Sequence, residues 1–242
     1  MKVVGIIPAR HASTRFPGKP LALIAGVPMI QRVWERARQS KYLRDVWIAT
    51  DDTRIADVCR DFGAPFVMTS SEHPTGTDRL AEAAAQLDDD IVVNIQGDEP
   101  LIESRVIDAT VEALMQDPGT PMATAVHRAN PEILDDPNRV KVVLDRNHYA
   151  LYFSRSAIPY PRGSSEGPPP WQHIGLYAYR REFLLEFVRL PRTPAEESEE
   201  LEQLRALEHG HRIRAAVIES WQSIGVDVPE DVKRVEKLLE RG

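Results

Sequence analysis

Apolar positions in the first half of the chain alternate between two periods. Residues 3–7, 46–49, 65–68 and 91–95 are short, nearly continuous apolar runs. Runs of this length, bounded by glycine, proline or charged residues, are the pattern of strands buried on both faces. Between them apolar residues recur at helical spacing: Ile30, Val33, Trp34 and Ala37, then Ile55, Val58, Cys59 and Phe62. Leu80, Ala84 and Leu87 form a third such set, and Ile107, Val111 and Leu114 a fourth. Pro28 suits a first helical position, Asp51 or Asp52, Thr77 and Ser104 suit N-caps, and Gly63 suits a helix stop. Strands and helices alternating in this order form a doubly wound, mostly parallel α/β sheet.

The second half is less regular. Residues 122–126, 140–144, 174–179 and 213–218 read as strands. In 174–179, Ile174, Leu176 and Ala178 alternate with Gly175, Tyr177 and Tyr179, which predicts a half-exposed strand. Residues 196–208 and 229–240 read as helices, and the Gly-Ser-Ser-Glu-Gly-Pro-Pro-Pro stretch at 163–170 as a flexible loop or lid. There is no internal repeat and no sharp break in composition. The expectation is a single domain over 1–242 with an inserted smaller sub-structure.

Composition narrows the function classes. With 42% hydrophobic and 28% charged residues the chain has the makings of a proper core and is not disordered. Its single cysteine, Cys59, permits no internal disulfide, offers no thiolate metal cluster and belongs with the core by its spacing. No apolar run approaches the roughly 20 residues that cross a bilayer. The opening segment turns charged too soon for a signal peptide, so a cytoplasmic location without membrane attachment is expected. A formal charge of −7 argues against nucleic acid as a partner. An anionic ligand must then be held by a local basic site.

In wound sheets, ligands bind beyond the carboxyl ends of the strands. The loop after the first strand reads Pro-Ala-Arg10-His11-Ala-Ser13-Thr-Arg15-Phe-Pro-Gly-Lys19-Pro. Arg10 and Arg15 can fork onto phosphate oxygens, Lys19 adds a point charge, and Ser13 with backbone N–H groups can donate. It is neither the Gly-x-x-x-x-Gly-Lys-Ser/Thr loop nor the Gly-x-Gly-x-x-Gly turn. After the fourth strand, Gln96-Gly97-Asp98-Glu99 places Asp98 where Mg²⁺ would be held against substrate phosphates. Gly225-Val226-Asp227-Val228-Pro229-Glu230-Asp231 reads by itself as a helix start, and gains weight only if Asp227 meets Asp98. His173 and Tyr177 lie four apart on a strand and share a face, either packing or lining a site. Arg155 suits a carboxylate, whether a ligand's or a neighbour's. Glu202 sits in a strongly acidic stretch with Glu196, Glu197, Glu199 and Glu200, most simply a solvated face.

Together these segments resemble the 3-deoxy-D-manno-octulosonate (KDO) cytidylyltransferases, also called CMP-KDO synthetases, over essentially the whole chain. The resemblance is carried by the basic loop, His73-Pro74-Thr75-Gly76-Thr77-Asp78-Arg79, Gln96-Gly97-Asp98-Glu99-Pro100 and Gly225-Val226-Asp227. It also includes Leu151-Tyr152-Phe153-Ser154-Arg155-Ser156, His173-Ile174-Gly175-Leu176-Tyr177 and Leu201-Glu202-Gln203-Leu204-Arg205. The basic loop by itself marks only the sugar nucleotidyltransferases. The resemblance implies a nucleotide-diphospho-sugar transferase fold of the Rossmann-like type. It implies transfer of CMP from CTP to KDO for lipopolysaccharide synthesis, with pyrophosphate released, Mg²⁺ required, and a homodimer. Arg10, Ser13, Arg15 and Lys19 would hold the triphosphate, Asp98 and Asp227 the magnesium. His73, Thr75, Gly76 and Thr77 would lie by the cytosine, with Arg79 near nucleotide or sugar. Gln96, Arg155, His173, Tyr177 and Glu202 would face KDO. Residues 1–120 would mainly bind nucleotide, and 121–242 mainly bind sugar and form the dimer. Departures from the family pattern are His11 for tyrosine, Pro74-Thr75 for Gln-Ser and Val228 for threonine. An 8-amino-KDO or a sialic acid acceptor would use the same chemistry. A catalytically silent nucleotide binder is disfavoured by the presence of Lys19, Asp98 and Asp227.

Overall fold

The computed structural model describes residues 1–12, 15–160, 162, 170–222 and 224–240. The chain forms two compact units, residues 1–108 with 222–242, and residues 109–221 between them in sequence. The expected lid at 163–170 lies outside the described residues except for Pro170.

The first unit begins with β1 (Val3–Ala9), a 3₁₀ turn at Lys19–Leu21, and the short strands β2 (Leu23–Ile24) and β3 (Val27–Pro28), which pair with each other. It continues through α1 (Met29–Ala37), β4 (Asp45–Thr50), α2 (Thr53–Asp61), β5 (Phe66–Met68), α3 (Gly76–Ala85) and β6 (Ile91–Asn94), and the division after residue 108 falls within α4 (Ser104–Met115). β6, β1, β4 and β5 pair side by side and all in parallel, with Val3 opposite Ile91, Val4 opposite Asp45 and Ile48 opposite Phe66. Val4, Ile6, Ile7, Val46, Ile48 and Ile91 are completely buried, as the continuous apolar runs require. The helices bury the stripes read from the sequence: Ile30, Val33, Trp34 and Ala37 on α1, Ile55 and Cys59 on α2. Burial pushes the Cys59 thiol up to about 12, in keeping with a core residue.

The second unit holds β7 (Met122–Arg128), a 3₁₀ turn at Pro131–Asp135, β8 (Lys141–Leu144), β9 (Ala150–Ser154) and β10 (Trp171–Arg180). Helices α5 (Arg181–Phe187), α6 (Pro194–Glu199) and α7 (Gln203–Glu208) and strand β11 (Ile213–Ile218) complete it. β7 pairs in parallel with β11 and antiparallel with β10, and β8 pairs antiparallel with both β10 and β9. The mostly parallel α/β reading therefore holds; the antiparallel pairs described are the small β2–β3 hairpin of the first unit and the pairs β7–β10, β8–β10 and β8–β9 of this inserted unit.

Several expectations are corrected. Thr75, not Thr77, caps α3, because its side chain and that of Asp78 exchange bonds with each other's backbone N–H groups. Asp52 rather than Asp51 caps α2, accepting from the Arg54 N–H. Ser104 is the first residue of α4, and Pro28 is the N-cap of α1. The 196–208 helix is two helices, broken where Glu200 adopts a left-handed φ of 50°. β10 is not half-exposed: of the positions expected to face water Gly175 is exposed, but Tyr177 and Tyr179 are buried along with Leu176 and Ala178. The reason is aromatic packing that alternation cannot show, with Tyr179 against Phe187 of α5 and Tyr177 against His173.

The chain returns to the first unit through α8 (Pro229–Leu239). Val232, Val235, Leu238 and Leu239 pack with Val226 against Ile24, Met29 and Leu101. Residues 222–242 thus group with 1–108 rather than with 121–221. The start of α8 shows what the valine at 228 costs. The Asp231 carboxylate accepts from the N–H groups of Asp227 and Val228, but Val228 has no oxygen to complete a capping box. Val228→Thr is expected to stabilise the protein by about 0.5–1 kcal/mol. A melting curve checks it, and an unchanged or lower midpoint would show that the position needs the apolar side chain.

Candidate active site

β1 and β6 are parallel neighbours, and the segments leaving them line a cavity of about 400 Å³ in the first unit. Arg10, Arg15 and Lys19 line it together with His73, Thr75, Gly76 and Arg79 around the start of α3. Gln96 and Asp98 after β6 and Asp227 before α8 complete it. Three segments read from the sequence as separate candidates are therefore one site.

The basic loop is held by its own backbone and one apolar anchor. The Gly18 N–H donates to the His11 carbonyl at 3.0 Å, and the Leu21 N–H to the Gly18 carbonyl at 2.8 Å. Gly18 has φ 72°, a conformation that costs other residues energy, and a Cβ there would lie 3.1 Å from the His11 ring. Phe16 packs into the cluster of Ile24, Met29 and Val226, while Arg10 and Arg15 stay exposed. Ser13 lies outside the described residues.

Asp98 and Asp227 meet as the sequence reading required. A Cβ at position 97 would lie 3.1 Å from the Pro8 carbonyl oxygen, so glycine lets this turn lie against the end of β1. The Asp98 carbonyl accepts from the Val226 N–H at 2.9 Å, which ties the two acidic segments together. Lys19 Nζ lies 2.8 Å from Asp98 Oδ2 and 3.6 Å from Asp227 Oδ1. Arg15 Nη2 lies 3.1 Å from the same Asp227 oxygen. The two carboxylate oxygens are thus no farther apart than 2.8 and 3.6 Å laid end to end. Among the described residues no three or more His, Cys, Asp or Glu gather as metal ligands. Two hard oxygens beside the cations of the basic loop still fit Mg²⁺, which takes one or two protein carboxylates and fills its shell with phosphate oxygens and water.

Other expected nucleotide residues have structural partners. Thr75 Oγ1 donates to Asp78 Oδ2 at 2.6 Å. Arg79 is 3% exposed, and its guanidinium donates to Thr69 and, at 2.7 Å, to Asp51. This buried pair joins α3 to the segments after β4 and β5. His73 bonds through Nε2 to Glu82 Oε2, which also accepts from the Ser70 N–H at 2.8 Å. The Ser70 bond, ahead of that from His73, holds the Glu82 carboxyl below its usual range. Thr77 is buried, and a Cβ at position 76 would meet the Pro8 ring at an ordinary 3.7 Å.

The residues expected to face an acceptor divide between the units, Gln96 in the first, Arg155, His173, Tyr177 and Glu202 in the second. His173 and Tyr177 have ring centroids 5.3 Å apart, with Phe153 edge-on to His173 at 5.1 Å. Burial, reinforced by the Glu202 charge, raises the Tyr177 phenol well above its ordinary range. Arg155 is a clamp: Nε, Nη1 and Nη2 donate to the carbonyls of Glu199, Pro137 and Glu200. Two of its five N–H groups remain for a ligand. Sequence reasoning missed its supports. Glu199 accepts from the Ser154 hydroxyl at 2.6 Å and from the Arg155 N–H at 2.9 Å. Lys141 is fully buried, and its Nζ donates to the carbonyls of Asp136 and Arg155. Nor is the acidic stretch wholly a solvated face: Glu197 and Glu200 are exposed, but Glu196 is 3% exposed and its two oxygens bind Arg205 at 2.5 and 2.8 Å. These partners lie 5 to 45 positions apart and leave no local pattern.

A basic loop after β1, Asp98 after β6 and Asp227 before α8 converge on one cavity, an arrangement suited to nucleotidyl transfer. A family model described as cytidylyltransferase matches residues 4–213. The 3-deoxy-manno-octulosonate cytidylyltransferase of Syntrophotalea carbinolica is 52% identical over 249 aligned residues, covering 99% of both chains. The 8-amino-3,8-dideoxy-manno-octulosonate cytidylyltransferase of Shewanella sp. is 48% identical over 99% of both chains. A solved CMP:2-keto-3-deoxy-manno-octonic acid synthetase complexed with CTP is 42% identical with a TM-score of 0.95, covering 100% of this chain and 99% of that one. The chain belongs to the cytidylyltransferase family, within its 3-deoxy-manno-octulosonate branch. Among the described residues no helix is long and apolar enough to cross a membrane.

Proposed function

We propose that the protein transfers CMP from CTP to KDO, forming CMP-KDO and pyrophosphate. The observation that carries this is the meeting of Asp98, Asp227, Lys19 and Arg15 in one cavity, in a chain so similar to KDO cytidylyltransferases. In the reaction a hydroxyl oxygen of the sugar acid bonds to the α-phosphorus of CTP. The bond from that phosphorus to the bridging oxygen breaks, pyrophosphate leaves with the electron pair, and the hydroxyl proton passes to solvent. Both reactants are anions, so bringing them together and neutralising their charge is the main task. Arg10, Arg15 and Lys19 bind the triphosphate, with Lys19 and Arg15 placed for the charge that develops on the leaving group. Asp98 and Asp227 would hold magnesium, which when bound adds positive charge at the phosphate oxygens. Gly76 and neighbouring backbone from His73 to Thr77 frame the base. In the second unit His173, Tyr177 and Glu202 orient the sugar acid, and Arg155 offers its two remaining N–H groups to the carboxylate. A homodimer in the cytoplasm is part of this reading, supported by the exposed apolar side chains of Leu151, Tyr152 and Val217.

Pyrophosphate release with each nucleoside triphosphate and a panel of acceptors tests the proposal. CTP is expected to be preferred well over ATP and GTP, and KDO over 8-amino-KDO and sialic acid. Equal release from all four triphosphates would refute base selection. Preference for 8-amino-KDO would move the acceptor to that of the Shewanella relative. CTP binding without release under any pairing would mark a silent nucleotide binder.

A further inference from the structure

β10 carries an irregularity where it faces β7: Ile174 pairs with Ala125, but Tyr177 is the next to pair, with Thr124. The completely buried Thr124 fills this gap. Its Oγ1 lies 2.8 Å from the Leu176 carbonyl oxygen, 3.3 Å from that of Ile174, and 2.9 Å from His173 Nε2. A hydroxyl has one proton to give and lone pairs to receive another. Two oxygens 2.8 Å apart, one of them a carbonyl, need that proton between them. The Thr124 hydroxyl therefore donates to β10 and offers His173 a lone pair. Nε2 of His173 must supply the proton for that contact.

Burial pushes the His173 imidazole down to about 3, so the ring is neutral near pH 7 and carries one proton. With that proton on Nε2, Nδ1 is bare. Nδ1 has no hydrogen-bond partner among the described residues. The ring is held in place by Phe153 and Tyr177, and its backbone N–H donates to the Val140 carbonyl at 2.9 Å.

We infer that Thr124 is a positioning residue that fixes His173 with its proton on Nε2, so that Nδ1 accepts a hydrogen bond from a hydroxyl of the sugar acid. This rests on the reading above that His173 faces the acceptor. It assigns His173 a definite task. A bare ring nitrogen attracts a hydroxyl proton and repels a carboxylate oxygen, so this histidine reads a hydroxyl and leaves the acid group to other residues.

The ¹⁵N spectrum of imidazole-labelled protein tests the tautomer without turnover. The His173 resonances are assigned by their loss in His173→Asn. The wild type is expected to show a protonated Nε2 and an unprotonated Nδ1, and KDO is expected to move the Nδ1 signal upfield. Thr124→Val should mix the two tautomers and raise KM for KDO about tenfold, the worth of one hydrogen bond, with KM for CTP unchanged. Thr124→Ser, which keeps the hydroxyl, should restore both readouts. A wild-type proton on Nδ1, an Nδ1 signal that ignores bound KDO, or Thr124→Val with wild-type tautomer and KM would each overturn the inference. Absence of KDO turnover in the wild type would instead refute the proposed function, while the tautomer is still read from the spectrum.

Discussion

Asp98→Asn and Asp227→Asn each lower metal-dependent pyrophosphate release by at least about a hundredfold, and the double variant is little worse than either. Two carboxylates that close are stable together because positive charge stands between them, and in this structure Lys19 supplies it. A triphosphate entering the cavity adds negative charge to the same place. A divalent cation shared by both carboxylates, as proposed above, would let ligand and acids coexist, so loss of either carboxylate should disable the same unit. The fold should be indifferent. Arg15 and Asp227 are each more than half exposed, and such a pair contributes at most about 1 kcal/mol. Turnover as a function of Mg²⁺, measured beside melting curves, separates the two effects. Full activity of Asp227→Asn would return that residue to its plain reading as the start of α8.

The largest expected loss of stability lies in the second unit. Arg205→Met should lower the melting temperature by roughly 10 °C, corresponding to about 3–5 kcal/mol. The guanidinium binds both oxygens of Glu196, and neither side chain is more than 7% exposed. Removing it leaves a buried carboxylate with, among the described residues, only Arg192, at 3.3 Å, paired to its charge. Exchanging both partners, Glu196→Leu with Arg205→Met, should recover most of the loss, because two apolar groups carry no desolvation penalty. The pair also has a pH signature. Burial pulls the Glu196 carboxyl upward more than any single contact pulls it down, but the bonds and charge of Arg205, the Thr193 N–H and the charge of Arg192 together hold the group below its ordinary value of 4.5. Its contribution is therefore full above that value and is lost as the pH falls through the lowered one. The gap between wild type and Arg205→Met should narrow in acid. A gap independent of pH would mean that Arg205 acts through its packing on Phe187 instead.

What the sequence made legible follows from the range of the interactions. β1, β4, β5 and β6 were readable because a strand buried on both faces needs an unbroken apolar run, and nothing distant is required to recognise one. The basic loop and Asp98 were readable because the wound sheet dictates where its ligand edge lies. Asp227 was readable only as a condition to be met, since the bond from the Val226 N–H to the Asp98 carbonyl joins segments far apart in the chain. Arg79 shows the limit. Its spacing fits a ligand contact equally well, and only folding reveals Asp51 beside it. Tyr177 and Tyr179 show another, because period-two alternation assumes that the second face of a strand meets water. Here that face meets Phe187 and its neighbours. Thr124 reads as an ordinary strand former, and its bond to His173 spans 49 positions.

The return of α8 to the first unit has a consequence in time. The cations of the basic loop are made early, and Asp227 follows Arg15 by 212 residues. At a synthesis rate of about 5–20 residues per second, the ribosome runs for roughly ten to forty seconds between the two. During that interval β1 to β6 can pair and the entire second unit is spun out, but the cavity has one carboxylate where the finished protein has two. Competence is thus acquired late, after most of the fold exists. A message broken anywhere within the second unit leaves a fragment that carries the cations of the basic loop and cannot complete the site.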